Sequence, residues 1–231
     1  MMDWLGPAEW TALMLSLKVA FWATLFSLPF GFAAAYALSR GQFFGRQALN
    51  ILVHLPLVMP PVVTGYLLLL GFGRMGPLGE AFEALFGIIF AFRWTGAALA
   101  AAIMGFPLMV RAIRLSLDGI DRGLEEAAGS LGASRWRVLR TVTLPLAWPG
   151  ILAGAVLGFA KGMGEFGATV TFVSNIPGET QTLALSIDTL LEVPGGEPLA
   201  LRLAILSILI AAFALIISEI LAQRAARRMN A

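Results

Sequence analysis

Five stretches of this chain are long and apolar enough to cross a hydrocarbon core, near residues 10–38, 48–72, 95–117, 148–172 and 199–222. A helix needs roughly 20 such residues to span a bilayer. In lipid every backbone amide and carbonyl has to be paired within the protein, so runs of this length are expected to fold as closed helices. Composition agrees, since 58% of the 231 residues are hydrophobic and only 13% charged, a balance that excludes an ordinary soluble domain. The expected fold is an all-α integral membrane protein with about five transmembrane helices, forming one domain over 1–231.

The connections carry the orientation. Arg111, Arg114, Arg122, Arg135, Arg137 and Arg140 fall between the third and fourth runs, and Arg224, Arg227 and Arg228 follow the fifth. The connection from 173 to 198 has Glu179, Asp188, Glu192 and Glu197 and no basic residue. The positive-inside rule places the N-terminus outside the cell membrane and the C-terminus in the cytoplasm. Arg40 and Arg46 agree, whereas Arg74 and Arg93 are a minor exception. The same effect explains the net charge of +2, so no nucleic-acid partner is expected. Without cysteines there is no disulfide and no thiolate metal site. The segment MMDWLGPAEW has no basic n-region, so its apolar continuation is expected to stay as an anchor.

Residues 73–94 are too interrupted by Gly and Pro to span. Glu80 and Glu83 followed by Leu85 and Phe86 predict a short amphipathic helix at the outer interface, with Trp94 at headgroup level. Lys18, near the outer end of the first run, can snorkel toward that interface.

Between the third and fourth runs lies a polar loop, EEAAGSLGASRWRVLRTVTLPL, at 125–146. Glu126, Ala127, Ala128, Gly132, Leu144 and Pro145 reproduce the pattern E-A-A-x-x-x-G-(x9)-I-x-L-P, with Val142 in the isoleucine place. Glu126–Ala127–Ala128 makes a helical turn with small side chains that suits a partner's groove. Gly132 supplies the conformational freedom needed where the chain reverses. Ser134 is a candidate N-cap for a second helix, in which Arg137 and Arg140 share a face. Pro145 and Pro149 are expected to stop that helix before the fourth span. This pattern resembles the cytoplasmic signature loop of binding-protein-dependent ABC importer permeases, which docks on an ATPase subunit and transmits its closure to the membrane helices.

The fourth run carries Gly150, Gly154, Gly158 and Gly162 at intervals of four, a flat stripe that serves either internal helix packing or a subunit interface. Lys161 and Glu165 stand one turn apart within it. Charges inside a bilayer are costly, so the two either neutralise each other or line the path of a solute. The stretch GEFGATVTFVSNIPGETQTLALSI resembles permeases for tetrahedral oxyanions, those for molybdate above all; sulfate permeases share its GEFG and NIPG elements. It is rich in neutral donors, among them Thr169, Ser174 and Asn175, which can hold an oxyanion weakly and release it. In the second run, HLPLVMPPVVTG, the prolines at 56, 60 and 61 mark a bend and Thr64 is a candidate path residue. His54, the single histidine, reads as a packed polar residue rather than a metal ligand.

No G-x-x-x-x-G-K-[ST] phosphate loop and no H-E-x-x-H or G-x-S-x-G motif occurs. The chain is therefore expected to bind no cofactor, to catalyse no reaction and to have no ATPase site of its own. The resemblance implies a type I ABC importer permease whose docking loop lies at about 118–147. It further implies a homodimer, a cytoplasmic ATPase that uses the ATP, and a soluble outer protein delivering molybdate or tungstate. The alternatives are a sulfate or thiosulfate permease and a secondary transporter, though the paired discontinuous repeats typical of the latter are not evident.

Overall fold

A computed structural model describes residues 6–229, apart from the side chains of 218, 219 and 221–229. The C-terminal arginines are therefore outside the described side chains. The first span is α1 (Pro7–Arg40), 34 residues that begin with Pro at a helix N-terminus, where its missing N–H costs nothing. The second apolar run divides into α2 (Arg46–Val58) and α3 (Pro61–Phe72), bent by 114°. Predicted as one span, it is a broken one. Pro60 and Pro61 forbid a continuous hydrogen-bond ladder, and Pro61 opens α3 as its first residue. Next comes α4 (Pro77–Phe86), the short helix expected from residues 73–94. Its Phe82 meets Phe72 and Phe90 at ring centroid distances of 6.0 and 5.3 Å. Leu85 and Phe86 remain exposed.

The third span is α5 (Trp94–Asp118), followed by α6 (Arg122–Ser130) and α7 (Arg135–Val138). A π-helical turn at Leu139–Thr143 then feeds directly into α8 (Leu144–Met163). Here the expectation fails, because neither Pro145 nor Pro149 stops the helix. In the π turn Leu144 N–H binds the carbonyl of Leu139, five residues back. This wider turn changes the hydrogen-bond register just where Pro145 could not have continued it, so the helix absorbs the proline. The run expected to span 148–172 instead ends at Met163. After a break it resumes as α9 (Gly167–Val173). Two more helices follow, α10 (Leu183–Leu191) and α11 (Glu197–Met229).

Three apolar clusters bind the bundle. Val19, Ala97, Ala101 and Phe172 join α1, α5 and α9. Leu38, Val53, Met109, Ile113 and Ile151 join α1, α2, α5 and α8. Leu13, Met163, Leu183 and Leu203 join α1, α8, α10 and α11. The glycine stripe of α8 faces inward within the chain. A Cβ on Gly150 would overlap the Ser116 side chain, and one on Gly154 would stand 3.0 Å from the Met109 carbonyl. Of the two readings of that stripe, internal packing is the one the fold realises. By contrast Ile208, Leu209 and Phe213 of α11 are exposed, as suits a face toward lipid or another subunit.

Candidate coupling elbow and translocation path

The polar loop folds into the expected two-helix elbow. Asp121 caps α6, its Oδ1 accepting from Gly123 N at 2.9 Å. Ser134 caps α7 by accepting from Arg137 N at 3.4 Å. Between them Gly132 takes φ +85°. This left-handed conformation closes the turn; glycine adopts it freely, asparagine tolerates it, and most other residues are strained there. Glu126 and Ala127 face outward, Ala128 is half-buried, and Leu131 is 90% exposed. Leu144 is half-buried and Pro145 exposed where α8 begins. Arg137 and Arg140, both exposed, flank a small cleft beside Trp136 and Thr141. A larger groove of about 1100 Å³ separates the elbow from the end of α1, lined among others by Arg40, Phe43, Glu126, Arg135 and Trp136.

Sequence reasoning overlooked the residues that fasten this elbow. Glu125 Oε2 lies 3.0 Å from Arg40 Nε, and Glu125 Oε1 accepts from Thr143 Oγ1 at 2.7 Å. Arg122 and Arg40 reach the carbonyls of Ser39 and Ile120. Beside them Ser39 Oγ donates to Asp118 Oδ1 at 2.5 Å, and Arg114 bonds Asn50 Oδ1 at 3.1 Å. These pairs join residues far apart in the chain, and an arginine in a connection reads from sequence only as an orientation marker.

The candidate path residues lie at the two broken spans. Lys161 Nζ donates to Glu165 Oε2 at 2.7 Å, and Glu165 Oε1 accepts from Ala168 N at 3.0 Å. Glu165 is thus buried, with both oxygens paired, where α8 stops and α9 starts; the Lys161 side chain keeps 30% exposure. The first turns of α3 and α9 meet with little between them. A Cβ on Gly65 would come within 2.5 Å of the Ala168 carbonyl, and one on Gly167 within 2.8 Å of Pro61. Thr64, next to that contact, is buried and its Oγ1 has no hydrogen-bond partner. Thr169 is buried within α9. Ser174 and Asn175 lie at the far end of α9, away from the charged pair. Ser174 is exposed at φ +64°, while Asn175 Nδ2 bonds Thr189 Oγ1 at 2.8 Å. His54 Nδ1 pairs with the carbonyl of Asn50 at 2.8 Å, and no cluster of potential metal ligands occurs among the described residues.

Comparison with known proteins matches residues 27–227 to the family described as binding-protein-dependent transport system inner membrane component. The chain is 59% identical over 219 residues to the molybdenum transport system permease protein ModB of Escherichia coli (strain K12), covering 95% of this chain and 96% of that one. The protein of the same description from Haemophilus influenzae is 50% identical over 222 residues, covering 96% and 97%. A probable sulfate transport system permease protein from Chlorella vulgaris is 39% identical over 171 residues, 74% of this chain and 64% of its own. Among solved structures, a bacterial ABC transporter that imports alginate aligns with TM-score 0.73 at 17% identity, covering 95% of this chain and 80% of that one. An amino acid ABC transporter aligns with TM-score 0.66 at 20% identity, covering 94% of both. The elbow and the bundle it caps therefore have the type I ABC importer fold, and the chain belongs to the inner membrane components of binding-protein-dependent transport systems.

Proposed function

We propose that this chain is the permease subunit of an ATP-driven importer that carries molybdate, or tungstate, across the inner membrane. The observation that carries the substrate is the identity to permeases described for molybdenum transport along nearly the whole chain. The outward-facing elbow supports the source of energy. It offers Glu126 and Ala127 to a partner, while the sequence has no phosphate loop with which to bind ATP itself.

In this reading two copies of the chain enclose the path and each elbow seats on a cytoplasmic ATPase. A soluble binding protein delivers the oxyanion outside. ATP-driven closure draws the elbows together, and the spans rock from one access state to the other. Of the neutral candidates Thr64 has the free donor, Thr169 is buried in α9, and Ser174 and Asn175 lie at the far end of α9; Lys161 is the cation in the last turn of α8. Because Glu165 neutralises Lys161, the site carries no net positive charge to trap an oxyanion, which suits release. The distribution of arginines supports an outside N-terminus and a cytoplasmic C-terminus. The chain itself performs no chemistry in this scheme.

The test is reconstitution in proteoliposomes with the ATPase and the binding protein, following labelled molybdate against excess sulfate. Uptake should require ATP and survive sulfate while yielding to tungstate. Competition by sulfate at equal concentration would favour the sulfate alternative. Uptake without the ATPase, driven by an ion gradient, would favour a secondary transporter.

A further inference from the structure

Glu125 stands one position before the glutamate of the signature pattern, and its surroundings are different. Glu126 points away from the bundle, whereas Glu125 turns into it with a side chain only 17% exposed. One carboxylate oxygen faces Arg40, the last residue of α1, whose side chain is 10% exposed. The other accepts from Thr143, fully buried at the end of the π turn. Arg40 is itself held, Nη2 by the carbonyl of Ile120 at 3.3 Å and Nη1 by Ser39 Oγ at 3.4 Å. In the signature pattern Thr143 occupies the unspecified position between isoleucine and leucine.

The helix that carries Glu125 contains no buried residue. No fully buried apolar side chain fastens α6 to the bundle, and directional polar contacts carry much of its attachment. The Arg40 contact is an ion pair whose Nε lacks hydrogen-bond geometry, and the Thr143 contact is a charge-assisted hydrogen bond, a class that holds geometry more tightly than neutral ones. The π turn they reach is a place where the helix register already changes, a feature that recurs at functional sites.

We propose that Glu125 is a positioning residue that transmits movement of the elbow to the first and fourth spans at once, through Arg40 and Thr143. A partner pulling on the outer face of α6 displaces Glu125. Its two oxygens then move the end of α1 and the start of α8 together, so that both spans tilt as a unit. The inference rests on the ATP-driven reading above.

The test compares wild type with Glu125→Gln, Arg40→Gln, Thr143→Val and the exchange Arg40→Glu with Glu125→Arg, each reconstituted with the ATPase and the binding protein. Three quantities are read: assembly with the ATPase, ATP hydrolysis, and molybdate taken up per ATP. Single variants should assemble and hydrolyse ATP within about twofold of wild type, yet lose about fivefold or more in uptake per ATP, the low end of ordinary coupling between sites. The exchange should regain part of that loss. An unchanged ratio in both Glu125→Gln and Thr143→Val would overturn the proposal. So would loss of assembly in Thr143→Val, the mildest change, because Glu125 would then belong to the docking scaffold. Failure of the underlying reading is separately visible, since wild type would show no ATP-dependent molybdate uptake at all.

Discussion

At the scale of single residues, backbone conformation and buried charge dominate. Gly132 sits at φ +85° with nothing within 4 Å of where its Cβ would be. Its requirement is thus purely conformational, and substitutions should sort by their tolerance of the left-handed region. Gly132→Asn should preserve stimulation of the ATPase. Gly132→Val, costing about 2 kcal/mol of backbone strain or more, should abolish it while the chain still inserts. Equal behaviour of the two variants in an ATPase-stimulation assay would remove the turn from the coupling argument. The Lys161–Glu165 pair poses the complementary problem. Lys161→Met leaves a carboxylate that is 2% exposed without its cation, which should cost of order 3 kcal/mol in detergent stability, the lower end for buried pairs. Adding Glu165→Gln should restore stability, since a glutamine can still accept from Ala168 N. If Lys161 also guides the anion, the double variant should be stable but transport poorly. Full recovery of uptake would take Lys161 out of the path.

At the scale of elements, the close approach of α8 to α5 is graded along the glycine stripe. A methyl group at Gly150 collides with Ser116, whereas one at Gly162 meets Ala20 and Ala101 at 3.4 and 3.5 Å, ordinary contact distances. Gly150→Ala should lower thermal stability in detergent by about 1–3 kcal/mol, as overpacking does, and Ser116→Gly should rescue it. Gly162→Ala should be close to wild type. A reversed order would mean that the stripe does not pack internally as described. The stripe itself was legible from its period of four, as were the elbow, the turn at Gly132 and the cap at Ser134, because each depends on residues within a few positions. What was illegible depends mostly on distant residues, or on a local hydrogen-bond register that residue types do not announce. The prolines at 60 and 61 announce a bend, but its 114° is set with α3 seated against α9, a hundred residues later. Pro145 reads locally as a helix stop, and only the π turn before it lets the helix continue. Glu125 reads as one of two adjacent acids until the fold places Arg40 and Thr143 beside it.

At the scale of the whole molecule, the direction of each span follows from who meets whom at the two ends of the bundle. Lys18, in the first half of α1, has its Nζ 3.7 Å from the centroid of the Trp94 ring, at the start of α5. Arg40, at the end of α1, bonds the carbonyl of Ile120 just beyond the end of α5. The two helices are therefore parallel, and the chain between them has to return across the bundle. Only the bent pair α2–α3 is available to make that crossing, which gives five passes despite four unbroken spans. The single pass made by α8 and α9 between them puts the elbow and the 173–198 connection on opposite sides of the membrane. In the proposed orientation, which rests on the arginines, the elbow faces the cytoplasm. Single cysteines placed in the cysteine-free background test this directly. Ser130→Cys, on the exposed face of α6, should react with a membrane-impermeant thiol reagent only from the cytoplasmic side. For the outer side Glu179→Cys is preferable to a change at Gly178, whose φ of +79° a cysteine would adopt only under strain. It should react only from outside. Labelling of both positions from one side would mean that α8 and α9 do not carry the chain across the membrane. The five-pass arrangement would then have to be abandoned, although the parallel packing of α1 and α5 would not be touched.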